Sequence, residues 1–306
     1  MGSFHDGLNP LSFNPTVLAS MNFDLEQLLK HLKVNRLGDD HFRGNNLPGK
    51  RRAVFGGQVI AQALSATIQH VDGDRRPHSL HCHFLRPGNT AVPIDYQVVV
   101  IRDGGSFSLR QVTALQDGKP IFLATISFQK PENGLQHQQP APPMIPRDEM
   151  IREWEFWQYV QQERPEITYL RPPNFTALDI LSRFRPGVNS PQPQQDPTQA
   201  FWFRANGKMK DPNDHLLVVA FQSDLLFLNT AFHAHPYTLI DPNVQAASLD
   251  HCLWFYADVD ASEWLYYDMR SPVTGGGRGL NHGFFYTEDG KLVASTAQEG
   301  LMRIKD

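Results

Sequence analysis

The chain has 306 residues, 41% of them hydrophobic, which is ample for a globular core and long for a single one, so two domains or one duplicated unit is expected. A formal net charge of −4 gives no general attraction to nucleic acid or to anionic membranes, and neither is expected as a partner. No run of about 18 apolar residues occurs, so no membrane span is expected. Cys82 and Cys252 lie far apart, belong to no metal-ligand spacing and suit a reducing compartment.

Taken in order, residues 1–20 carry Gly, Pro, Asn and Ser without periodicity and are expected to be a loose arm. They show no secretory pattern, and Asp6 stands where myristoylation needs Ser or Thr. Leu25, Leu28, Leu29 and Leu32 at i, i+3, i+4 and i+7 predict a helix, with Asn22 or Asp24 as its cap. Residues 36–53 read as a loop. A second buried helix is predicted over Phe55–Ile68, entered at Gly56 and Gly57. Strands are predicted over 79–85, 94–102, 107–115 and 121–129, separated by Gly-containing turns. Pro140, Pro142, Pro143 and Pro146 mark a Pro/Gln-rich linker over 131–147. Beyond it a Trp-rich helix is expected over 148–163, then an exposed loop over 189–199 and a strand over 201–204.

The run Ala220–Ala234 leaves little polar face and reads as a buried central helix, with Asp224 in its first turn. Spacing alone makes Asp224 a helix-start residue, favoured by the positive helix end. The functional reading is a general base at the mouth of a buried helix, which needs partners from elsewhere.

The second half echoes the first. Ser248-Leu-Asp-His-Cys-Leu-Trp-Phe255 resembles Ser79-Leu-His-Cys-His-Phe84 with one residue added, 169 positions apart, and Asp289-Gly-Lys291 follows Asp117-Gly-Lys119 by 172. Placing Gly56-Gly-Gln58 on Gln222-Ser-Asp224 gives 166. Anchors in one order predict a duplicated helix-plus-sheet unit, with boundaries at 21–130 and 148–306. The copies differ where chemistry matters: Asp224 stands opposite Gln58, Ser248 opposite Ser79, and Gln298 opposite Ile126.

At Phe55-Gly-Gly-Gln58-Val59, His78-Ser-Leu-His81, Phe84-Leu-Arg-Pro-Gly88, Arg102-Asp-Gly-Gly-Ser-Phe107, Ser223-Asp224, Ser248-Leu-Asp-His251 and Gln298-Glu-Gly300 the chain resembles the acyl-CoA thioesterase II family. The resemblance covers almost the whole chain. It implies an α+β double hotdog fold, two tandem units that each wrap a helix in an antiparallel sheet, with the first unit supporting and the second catalytic. The family's Asp, Thr or Ser, and Gln fall on Asp224, Ser248 and Gln298. It further implies an acyl-CoA substrate, no cofactor or metal, and association into homo-oligomers. The wording around Ser248 and Gly279-Leu-Asn-His-Gly283 is closer to the peroxisomal eukaryotic branch. Because Ile304-Lys305-Asp306 is not the peroxisomal tripeptide, the cytoplasm is the expected location, with the peroxisome as the alternative.

The expected reaction is therefore hydrolysis of an acyl-CoA to acid and CoA, with Asp224 taking a proton from a water held by Ser248 and Gln298. Ser248 lacks a nucleophile-elbow setting, and Asp250 and His251 beside it point to opposite faces of a strand, so an acyl-serine route is not favoured. Gly275-Gly-Gly-Arg-Gly279 lacks the Lys-Ser/Thr of a phosphate loop, and His78, His81 and His83 lack zinc spacing. Trp154, Trp157 and Tyr159 read as packing residues. The alternatives are another thioester reaction on the same scaffold, such as dehydration, isomerisation or release from a carrier protein, and a non-catalytic acyl-binding module.

Overall fold

Helix α1, Leu25–Leu32, starts at a capping box in which the Asp24 side chain accepts from Gln27 N and the Gln27 side chain accepts from Asp24 N; Leu25, Leu28 and Leu32 are buried. It belongs to a computed structural model that describes residues 23–48, 53–153, 155–156, 162, 176–183, 193, 195–239 and 241–305. The N-terminal arm expected over 1–20 lies outside these residues. Strands β1, Asn35–Arg36, and β2, His41–Gly44, replace the expected loop at 36–53 in part; only Phe42 and Gly44 of β2 are buried, too short an alternation to read as a strand. Helix α2, Gly56–Ile68, is buried over nearly all its length. Strands β3 (Arg76–Phe84), β4 (Ile94–Asp103), β5 (Phe107–Gln116) and β6 (Lys119–Gln129) follow within a few residues of expectation.

The expected linker carries no helix or strand through Pro146, but it is fastened to the second half: the Gln138 side chain donates to Gly290 O and accepts from Leu292 N, and Trp202 Nε1 donates to Ile145 O. The helix predicted over 148–163 is preceded by a 3₁₀ turn, Arg147–Glu149, and strand β7, Ile151–Arg152; beyond them residues 153, 155, 156 and 162 are helical, while Trp154, Trp157 and Tyr159 lie outside the described residues. Strand β8, Leu178–Ser182, had no counterpart in the sequence reading. Strand β9, Thr198–Ala205, takes in the tail of the predicted 189–199 loop.

The central helix needs the largest correction. Helix α3 spans Pro212–Gln222, set by Asp211, whose side chain accepts from Asn213 N, and by Pro212 in its first turn. The expected helix over 220–234 is thus displaced, and Asp224 follows the end of α3 instead of opening it. The chain then turns, with Leu226 at φ 57, a left-handed conformation unusual for a bulky residue, before the short helix α4, Asn229–Phe232. Pro212 lies 156 positions after Gly56, yet it is α4, not α3, that packs on the strands Leu265–Gly275 and Arg278–Thr287 as α2 packs on β4 and β5, so the offset between the halves does not follow from the start of α3. Gln58 is structural: its Oε1 accepts from Leu47 N and its Nε2 donates to Asn46 Oδ1.

Strands β10 (Val244–Ser248), β11 (Asp250–Phe255), β12 (Leu265–Gly275), β13 (Arg278–Thr287) and β14 (Leu292–Ile304) complete one sheet. Its order is β1-β2-β4-β5-β6-β3-β11-β14-β13-β12-β9-β8-β7, with β10 also paired to β14. Reading outward from the β3–β11 seam, the halves mirror each other: β3, β6, β5, β4, β2 against β11, β14, β13, β12, β9. This is the double hotdog architecture: α2 lies against the first half-sheet, α4 lies against β12 and β13, and α3 packs on α1 and α2, with Leu64, Ile126, Val219 and Phe285 in one shared core. Each fully buried side chain of this kind contributes about 1.5–3 kcal/mol. Among the described residues no helix is long and apolar enough to cross a membrane.

Candidate active site

Three long-range arrangements assemble the site. Register pairs Ser248 on β10 with Gly300 on β14, which brings Ser248 beside Gln298 two residues earlier on that strand. The turn after α3 delivers Asp224 to the same place. Its position is fixed from below, because the buried Tyr267 hydroxyl donates to Ser223 O at 2.8 Å and lies 2.8 Å from Thr296 Oγ1.

The predicted residues meet as a hydrogen-bonded series. Ser248 Oγ donates to Asp224 Oδ1 at 3.4 Å, and Gln298 Nε2 donates to Ser248 Oγ at 3.0 Å. Asp224 and Ser248 are half-buried, whereas Gln298 is fully buried. The series therefore has an open end at the carboxylate and a closed end at the carboxamide.

The closed end continues into two residues to which the sequence reading gave no role at the site. Gln298 Oε1 lies 2.6 Å from His251 Nδ1, and His251 Nε2 lies 2.9 Å from Ser223 Oγ. Proton counting fixes the polarity. Ser248 gives its one proton to Asp224, so its other bond comes from the Gln298 amide, and Gln298 Oε1 must accept from a protonated Nδ1. Nε2 then stands without a proton beside Ser223 Oγ, whose single proton is shared between Nε2 and Ala220 O at 2.8 Å. Burial pushes His251 down to about 4, opposed by its bond to Gln298, so the imidazole is neutral near pH 7. Asp250 points the other way and accepts from Glu299 N. It does not form an acid–histidine pair with His251.

Asp224 does sit at a helix start, though not its own. An added Cβ on Gly56, the first residue of α2, would lie 2.5 Å from Asp224 Oδ2, and one on Gly57 would overlap Phe221 O at the end of α3. The first residue of α2, at the positive end of that helix, thus packs directly against the Asp224 carboxylate. Gly56→Ala is expected to push the carboxylate aside and lower kcat by about 10²-fold, the usual cost of misplacing a reacting group by an ångström. Unchanged kcat in a folded variant would show that this contact does not place Asp224.

The thiols are unreactive bystanders. Burial pushes Cys82 well up, with the charge of Asp224 adding to it, and burial pushes Cys252 up to about 11. His81 and His83 lie exposed on the outer face of β3, away from the series.

Two family models match: the acyl-CoA thioesterase N-terminal domain over residues 47–129 and the acyl-CoA thioesterase C-terminal domain over 146–302. Acyl-coenzyme A thioesterase 8 of Homo sapiens is 39% identical over 285 residues, covering 90% of this chain and 88% of the relative. Acyl-CoA thioesterase 2 of Haemophilus influenzae is 34% identical, covering 92% and 99%. The crystal structure of acyl-CoA thioesterase II TesB2 from Mycobacterium marinum superposes with a TM-score of 0.73 at 35% identity, covering 90% and 98%. The chain belongs to the acyl-CoA thioesterase II family. As an acyl-CoA thioesterase it is a thioester hydrolase, releasing a carboxylic acid and CoA. Within this thioesterase the first half contributes Gly56, while the second contributes Asp224, Ser248, Gln298 and His251. By strand position, Ile126 on β6 occupies in the first half the place of Gln298 on β14.

Proposed function

We propose that this thioesterase acts by direct attack of water, with Asp224 as general base and Ser248 and Gln298 as the groups that orient the water. The observation that carries the reading is the series of hydrogen bonds from Gln298 through Ser248 to Asp224 at 3.0 and 3.4 Å. The longer bond is at the limit for a hydroxyl and a carboxylate, and a water can take its place while contacting both. The water oxygen bonds to the thioester carbon and its proton passes to Asp224. Collapse of the tetrahedral intermediate breaks the C–S bond, and the departing thiolate takes up the proton as CoA. The start of α2, packed against Asp224 through Gly56, would supply the backbone N–H groups that hold the oxyanion.

A serine nucleophile is the competing route; against it, Ser248 lies on β10 outside any nucleophile elbow, and among the described residues no imidazole is hydrogen-bonded to Ser248 Oγ. Rapid quenching during turnover of an acyl-CoA, followed by mass spectrometry of the intact chain, is expected to show no acyl adduct. An adduct on Ser248 would replace this mechanism with a covalent one.

The reading also includes association of like subunits. On β4, Val99, Val100 and Ile101 stand exposed in succession, an apolar edge that a second copy would cover. It places the enzyme in the cytoplasm, consistent with two free cysteines. The peroxisome is the competing compartment, since a relative from Saccharomyces cerevisiae that is 23% identical is named a peroxisomal acyl-coenzyme A thioester hydrolase.

A further inference from the structure

Two carboxamides beside the reacting groups are fully buried and unpartnered. Neither Nε2 nor Oε1 of Gln222, and neither Nδ2 nor Oδ1 of Asn281, has a hydrogen-bond partner among the described residues. Buried amides are nearly always paired, because leaving them unpaired forfeits the hydration they had in water.

Their positions are not arbitrary. Asn281 on β13 is the cross-strand partner of Gln298 on β14, so both side chains stand on the same inner face with Cβ atoms about 4.5–5.5 Å apart. Gln222 ends α3 and directly precedes Ser223, which bonds His251. Tyr267 ties Ser223 O to Thr296, whose cross-strand partner Gly283 lies two residues from Asn281 on the same face. Both amides therefore flank the closed end of the Asp224–Ser248–Gln298–His251 series.

The first half supplies an internal comparison. Arg110 on β5 faces Ile126, the counterpart of Gln298, and so holds the position of Asn281. It too is buried, but its guanidinium is spent on Asp103 Oδ1 at 2.8 Å and His70 Nδ1 at 3.0 Å. Of these two corresponding positions, it is Asn281, on the side of Asp224 and Gln298, that leaves its buried polar group unspent.

We propose that Gln222 and Asn281 are the hydrogen-bonding wall of the acyl pocket, and that the preferred substrate is an acyl-CoA carrying a hydroxyl or keto oxygen within the first few carbons from the thioester. This rests on Gln298 acting at the thioester. A carboxamide both donates and accepts, so it meets either oxygen function, whereas an alkyl chain would bury it still unpaired. A site built around such a group discriminates strongly against the analogue that lacks it. The short reach from Gln298 to Asn281 is what places the oxygen near the reacting carbon.

The test measures thiol release by the full chain on butanoyl- and octanoyl-CoA and on their 3-hydroxy and 3-oxo counterparts. Wild-type kcat/KM is expected to favour the oxygenated member of each pair by tenfold or more. Asn281→Val and Gln222→Leu should each shrink that ratio and raise activity on the plain chains, without lowering Tm, since each removes an unpaired amide. A wild-type ratio near one overturns the proposal, as do variants that lower both classes equally. Asp224→Asn, assayed in parallel, separates the two readings: full activity there removes the catalytic assignment, while the ratios still decide the pocket.

Discussion

Asp224→Asn is expected to lower kcat for acyl-CoA hydrolysis by about 10²–10⁴-fold, the range a positioned general base supplies, with little change in KM or Tm. The substitution keeps the size of the side chain and an oxygen able to accept from Ser248, so the turn after α3 is preserved. What it removes is the carboxylate proposed to take the water proton. Parent-level kcat in this variant would mean that another base acts and that the carboxylate merely caps the turn. The comparison is informative because the site places its carboxylate against the first residue of α2, where retained geometry and lost basicity can be told apart.

His251→Ala is expected to destabilise the fold by roughly 3 kcal/mol or more, since it opens a cavity and leaves Gln298 Oε1 buried without its donor. His251→Asn, whose amide can donate toward Gln298, should recover part of that loss. Catalysis should follow the same order through kcat with KM nearly constant, because His251 touches Gln298 and not the substrate. Acid sensitivity follows from the same burial. The unfolded chain takes up a proton on this residue below about 6.5, while the folded chain refuses it until about 4. Between those values the unfolded state binds more protons, so the stability contributed by neutral His251 is complete above 6.5 and is lost as pH falls toward 4, on the order of 3 kcal/mol in all. Denaturant unfolding at pH 7 and pH 4.5 should show a steeper loss for wild type than for His251→Asn. Equal losses would assign the acid sensitivity to other groups.

The legible parts of the fold were those with local signals. Strands β3 to β6 alternate and end at Gly-containing turns, so they could be placed within a few residues. The central helix could not, because Leu216 to Phe232 is apolar almost throughout and has no Gly or Pro to punctuate it. The break is carried by Leu226 in a left-handed conformation, a role normally signalled by Gly, and the true start signal, Asp211-Pro212, lies well upstream. Asp224, Ser248 and Gln298 were named through resemblance. Their meeting depends on the Ser248–Gly300 register and on the docking of α2 against α3, neither of which local spacing encodes. His251 was within reach: alternation from Asp250 to Phe255 puts it on the same inward face as Leu253, a buried polar residue in need of a partner. Gln222 and Asn281 offered no such signal, since an unpaired amide is visible only once its surroundings are known.

The seam at β3–β11 has a consequence for how this enzyme can change. A pair of separate subunits can be pulled apart by dilution, and each can drift independently under selection. Here Gly56 of the first half lies against the Asp224 carboxylate of the second, and His83 pairs with Asp250 across the seam. The two halves are thus a dimer tied into one molecule: dilution cannot part them, and a substitution at Gly56 in the first half is expected to be felt at Asp224 in the second.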